Sequence, residues 1–81
     1  MNIRFQESAK KDLKKIDKKN IIKILKEIEK LENYPNISNI KKLKNYYPPQ
    51  RLRVGNYRVL FDIENNEIII VRIKHRKDAY K

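Results

Sequence analysis

Residues 50–54 alternate polar and apolar side chains, and two further strand-like runs, residues 57–63 and 68–74, follow across two places where tight turns fit. A period of two has one compact outcome, an antiparallel meander with one buried face and one open face. Gly55-Asn56 separates residues 50–54 from residues 57–63 as a two-residue hairpin loop with glycine first. That loop sets Val54 against Tyr57, Arg53 against Arg58, Leu52 against Val59 and Arg51 against Leu60. Directly opposed side chains share a sheet face. Arg51, Arg53 and Arg58 therefore gather on one side, and Leu52, Val54, Tyr57, Val59, Phe61 and Ile63 on the other.

The third strand, residues 68–74, follows a turn around Asn65-Asn66. A two-residue loop there would send Arg72 to the buried face, where an unpaired cation is costly. A three-residue loop pairs Leu60 with Arg72 and Arg58 with Lys74, and it turns Ile69, Val71 and Ile73 inward. This second register predicts one basic face holding Arg51, Arg53, Arg58, Arg72, Lys74 and Arg76, with Lys77 beside it. Arg53 opposite Arg58 is a like-charge conflict that a bound anion would relieve. Neutralisation by Asp62 is the structural alternative.

The first half of the chain supplies the cover for the apolar face. Ile3 and Phe5 alternate in a short strand. Ser8 is placed as the cap of a helix with Ala9, Leu13 and Ile16 on one side and Lys10, Lys11, Asp12, Lys14 and Lys15 on the solvated side. After a break at residues 17–20, Ile21, Ile24, Leu25, Ile28 and Leu31 form the stripe of a second helix, which Asn33 and Pro35 end. Residues 36–49 read as a lysine-bearing linker with Leu43 in a short strand, stiffened by Pro48-Pro49. Strand, helix, helix and meander predict one α+β domain over residues 1–81, with a helical hairpin packed on one face of a mainly antiparallel sheet.

Charge narrows the partners. The net charge is +11, and five of six arginines fall between Arg51 and Arg76, whereas twelve of fifteen lysines precede Lys74. Lysine is enough for a solvated surface, but the planar guanidinium fork grips phosphate with two parallel hydrogen bonds. With no cysteine and with His75 as the one histidine, thiolate and histidine metal sites are not expected, and no cofactor is implied. No segment approaches the ~20 apolar residues of a membrane span. A soluble cytoplasmic protein without membrane contact is expected. No paired carboxylates, Ser/His/Asp set or glycine-rich phosphate loop is legible. RNA cleavage needs none of them, because the ribose 2′-hydroxyl is the nucleophile; the protein orients the attack, stabilises the phosphorane and manages protons. Arginines answer the second need, and His75 is a candidate for the third.

The segments RLRVGNYRVLFDI and IIIVRIKHRKDAYK, with NIRFQESAKKDLKKI before them, resemble toxins of the RelE/ParE superfamily, specifically the RelE branch. The resemblance spans nearly the whole chain. It implies a bacterial or archaeal type II toxin that cleaves mRNA in the ribosomal A site, touches rRNA through its basic surface, and is restrained by a cognate antitoxin. It implies transition-state stabilisation by Arg58, a general-acid or phosphate-binding role for Arg76, and substrate positioning or stacking by Tyr80. Arg51 stands where the best-known RelE member has a lysine treated as general base, and arginine stays protonated. Proton transfer is left to His75 or Lys74, or to no dedicated group. Two other readings remain open: a ParE-like DNA gyrase inhibitor without nuclease activity, and a non-catalytic RNA-binding module.

Overall fold

The computed structural model describes residues 2–34 and 36–78. In chain order the elements are β1 (Asn2–Phe5), α1 (Glu7–Leu13), α2 (Lys18–Glu29), a 3-10 turn (Lys30–Asn33), β2 (Ile40–Lys42), β3 (Gln50–Val54), β4 (Tyr57–Glu64) and β5 (Glu67–His75). The five strands form one sheet in the order β1-β5-β4-β3-β2. β1 runs parallel to β5, and the other pairs are antiparallel. This is the α+β arrangement that the sequence pattern predicts.

The helices cover one face. Ala9, Ile24, Ile28 and Leu31 meet Leu52, Val59, Phe61, Ile68, Ile70 and Ile73 in a single buried cluster. Each large side chain withdrawn from water there contributes roughly 1.5–3 kcal/mol. The stripe of α2 is narrower than expected: Leu25 is 36% exposed, and neighbouring Ile22 is 48% exposed. No helix among the described residues is long and apolar enough to cross a membrane.

The β3–β4 hairpin has the expected register, Val54 with Tyr57 and Arg53 with Arg58. Gly55 takes a φ of 57°, the left-handed value that suits glycine at the first loop position. The β4–β5 turn corrects the expected loop length. Glu64 pairs with Glu67, so the turn has two residues, Asn65 and Asn66, both left-handed at φ 49° and 61°. The pairing then slips at Leu60/Phe61: Phe61 faces Ile70, but Leu60 faces Arg72, leaving Val71 as an extra residue. The expected pairs Leu60–Arg72 and Arg58–Lys74 therefore form, through a bulge instead of a longer loop.

The bulge also revises the core. In a regular strand Ile70 and Ile73 would lie on opposite faces; one extra residue lets both meet the helices. Ile68, Ile70 and Ile73 fill the cluster instead of the expected Ile69, Val71 and Ile73. Ile69 is buried apart from that cluster, and Val71 is half-buried.

α1 takes over where β1 stops. β1 pairs with β5 only as far as Phe5–Ile70, after which the Gln6 amide donates to the Ile70 carbonyl at 2.9 Å. The Ser8 hydroxyl then donates to the Val71 carbonyl at 2.6 Å. Ser8 is thus not the helix cap; Gln6 occupies that position, and the serine satisfies the bulged strand. Residues 36–49 contain the three-residue edge strand β2, and Leu43 lies just beyond it.

Candidate functional site

The open face of the β3–β4–β5 meander carries the charge. Arg53 is opposed to Arg58 across β3–β4, and Arg58 to Lys74 across β4–β5. Arg76 follows β5 directly, and its amide donates to the Asn56 carbonyl at 2.7 Å, which ties the end of the strand to the β3–β4 turn. Arg58 is at the centre of this group. Burial, then the like charges of Arg53, Arg51 and Arg76, holds its guanidinium below the ordinary arginine range. It remains charged, but its charge is raised in energy by its surroundings.

Arg58 is also oriented. Its Nη1 donates to the carbonyls of Gly55 and Tyr57, each at 2.9 Å. A guanidinium has five N–H groups, so two are spent on the turn and three remain on Nε and Nη2. That edge is the one that matches two phosphate oxygens. Among the described residues no carboxylate forms an ion pair with Arg53, Arg58, Lys74 or Arg76. Asp62 accepts from the Ile63 amide at 2.8 Å.

Arg72 has a different setting. Its Nε and Nη2 donate to the two carboxylate oxygens of Asp12 at 2.8 and 3.0 Å. The Ile73 amide donates to the same carboxylate at 2.9 Å. Asp12 was expected on the solvated face of α1, yet it is 8% exposed. Burial works to raise its pKa, but the bonds from Arg72 and Ile73 and the charges of Arg72 and Lys15 outweigh that and hold it below the usual carboxylate range. In return the carboxylate hydrogen bond raises Arg72. Arg72 is thereby drawn from the open cationic group into a clamp between α1 and β5.

His75 faces away from Arg58. It is paired with Tyr57, on the helix side of the sheet, with the rings 5.5 Å apart and edge to face. Its Nδ1 accepts from the Lys77 amide at 3.3 Å. Lys77 lies exposed in the turn after β5. Tyr80 is outside the described residues. The structure thus brings Arg53, Arg58, Lys74 and Arg76 together, keeps Arg51 within reach of Arg58's field, and separates His75.

Three features were missed by the sequence pattern. Asp12 is one, because it lies in a lysine-rich run and its partner is 60 positions away. The carbonyls that aim Arg58 are another, since backbone acceptors leave no mark on side-chain identity. The third is Lys41, which pairs with Arg51 across β2–β3 and extends the basic face by a strand. The lack of acidic residues between Glu32 and Asp62 was its available signal.

Comparison with known proteins gives this geometry a context. The family profile described as "ParE toxin of type II toxin-antitoxin system, parDE" matches residues 3–80. Toxin RelE3 of Methanocaldococcus jannaschii is 43% identical over 37 residues, which is 46% of this chain and 42% of that protein, so the match spans less than half of the relative's length. The RelB-RelE antitoxin-toxin complex from Methanococcus jannaschii contains a chain that superposes with a TM-score of 0.78 at 35% identity, over 94% of this chain and 93% of that one. The toxin-antitoxin complex RelBE2 from Mycobacterium tuberculosis gives 0.77 at 25% identity, over 93% and 96%.

Proposed function

The chain belongs to the ParE-toxin family of type II toxin-antitoxin systems and is RelE-like, and from this we propose a ribosome-dependent endoribonuclease that cleaves A-site mRNA and is held inactive by a cognate antitoxin. The observation that carries the reading is Arg58: fixed by two carbonyls, surrounded by like charge, and presenting an open N–H edge.

In the proposed reaction the ribose 2′-hydroxyl attacks the adjacent phosphorus. The bond to the 5′-oxygen breaks, leaving a 2′,3′-cyclic phosphate and a 5′-hydroxyl strand. Arg58 binds the non-bridging oxygens, where negative charge accumulates in the phosphorane, and Arg53 and Arg76 supply further field. The phosphodiester relieves part of the like-charge repulsion on binding, and the additional negative charge that develops on the phosphorane is the part stabilised selectively in the transition state. Lys74 and Arg53 are both directly opposed to Arg58. Of the two, Lys74 can give up a proton to the departing 5′-oxygen, because arginine stays protonated, while the 2′-hydroxyl proton passes to water. With His75 turned to the helix side, proton transfer through it has no geometric support here. Tyr80 retains only the stacking role that its sequence resemblance implies, and Arg51 and Lys77 act as phosphate contacts.

The test is cleavage of mRNA on programmed ribosomes, with 5′ ends mapped. Arg58→Ala should lower the cleavage rate by roughly 10²–10³, the loss typical of one oriented transition-state donor. An Arg58→Ala protein that cuts as fast as the wild type sinks the assignment. The second reading is gyrase inhibition, which the match to the ParE profile favours. Gyrase-dependent DNA breaks with intact mRNA would select it.

A further inference from the structure

The basic face does not end at β3. Lys41 is directly opposed to Arg51, so the row of cations crosses four strands, from Lys74 on β5 through Arg58, then Arg53 and Arg51, to Lys41 on β2. Three strand spacings and the two-residue step along β3 make this path about 21 Å long. At its β2 end the chain leaves the sheet, and the Leu43 amide bonds the Pro49 carbonyl at 2.6 Å, which closes the loop before β3 begins. Pro48 and Gln50 are buried and anchor the loop, whereas Tyr47 is 65% exposed. Lys41, Lys42, Leu43, Lys44 and Tyr46 line a shallow hollow at this loop.

An exposed aromatic in the same closed loop as Lys44, far in sequence from any acid, has no role in the core. The combination is the one that single-stranded nucleic acid requires: cations that follow the phosphates and a ring on which a base stacks. An acidic protein segment would use the lysines but has no need of the ring. We propose that Tyr47, with Lys41, Lys42 and Lys44, is a second contact for single-stranded RNA, where a base several nucleotides from the one at Arg58 stacks while the intervening phosphates follow the cations across the sheet. The site rests on the ribonuclease reading only for the identity of the RNA; its binding is measurable without cleavage.

The probe is a ~12-nucleotide 2′-O-methyl RNA strand, within the usual range of site sizes and with its nucleophile blocked, followed by fluorescence anisotropy. Tyr47→Ala should weaken binding about ten-fold and leave the slope of log affinity against log salt unchanged, since stacking releases no counterions. Lys41→Ala should reduce that slope by about 0.7. Tyr47→Phe should bind like the wild type. The chain has no tryptophan, so Tyr47→Trp introduces a single one, whose emission should be quenched by the single strand and not by a duplex of the same length. Wild-type affinity in Tyr47→Ala, or an unquenched Trp at saturation, overturns the proposal. So does a Tyr47→Ala effect confined to retention of the antitoxin. If the binding effects appear while Arg58→Ala still cleaves mRNA, the contact stands and only the catalytic assignment fails.

Discussion

Asp12→Ala should destabilise the protein by roughly 2–3 kcal/mol, and the reason lies mostly in one backbone amide. The Asp12 side chain is 9% exposed and accepts from Arg72 and from the Ile73 amide. Truncation leaves that buried N–H without an acceptor, which costs about 1–3 kcal/mol. Arg72's side chain is 40% exposed, so water replaces the carboxylate there and the ion pair adds at most ~1 kcal/mol. Asp12→Asn keeps an oxygen for Ile73 and should lose only ~1 kcal/mol. The sign with pH follows from Asp12's lowered pKa. Its contribution is complete above the unfolded carboxylate value of about 4 and is lost as pH falls through the lower folded value. Urea unfolding at neutral pH and near pH 3 should therefore show the gap between wild type and Asp12→Asn shrinking in acid. Equal losses for Asn and Ala, or a loss below ~0.5 kcal/mol for Ala, would refute this account of the amide.

Two further predictions concern stability. Asn66 has a φ of 61°, so Asn66→Ala should lose about 1 kcal/mol in chemical denaturation through left-handed strain, while Asn66→Gly should lose much less. Arg53→Ser removes the charge opposed to Arg58, and should raise thermal stability by a few tenths of a kcal/mol at low ionic strength. That gain should vanish near 1 M salt, where the screening length falls to about 3 Å; persistence there would point to packing instead of charge.

The hairpin that gathers the arginines was legible because a Gly-Asn pair between two alternating runs permits one register, and each side chain then has only two directions. The core of β5 was legible in composition but not in phase. Four consecutive apolar residues, Ile68 to Val71, with Ile73 after Arg72, do not reveal where the alternation slips. The need to keep Arg72 out of the core gave the right pairing, but the two left-handed asparagines make the turn and the bulge makes the shift. Ser8 resembles a helix cap in sequence, yet its hydroxyl serves a strand 63 positions away. His75 entered the candidate site on chemistry alone. Once Lys74 shares a face with Arg58, its neighbour must point to the other side, beside Tyr57. What escaped the sequence was consistently the long-range polar contact, because hydrophobic period has no counterpart for acceptors contributed by a distant helix.

The parallel pairing of β1 with β5 has a kinetic consequence. β5 is bonded to β1, to β4 and, through Ser8 and Asp12, to α1, so its contacts join parts of the chain some 63 positions apart. Loop closure over such separations comes before the contacts that reward it, which places sheets of this topology among the slower-folding small proteins. The cationic face does not wait for that closure: two-residue turns join β3 to β4 and β4 to β5, so local hairpins can bring both Arg53 and Lys74 to Arg58 early. What forms late is the clamp from Asp12 to Arg72 and Ile73, so any partner that recognises β5 held against α1 will find it only on folded molecules.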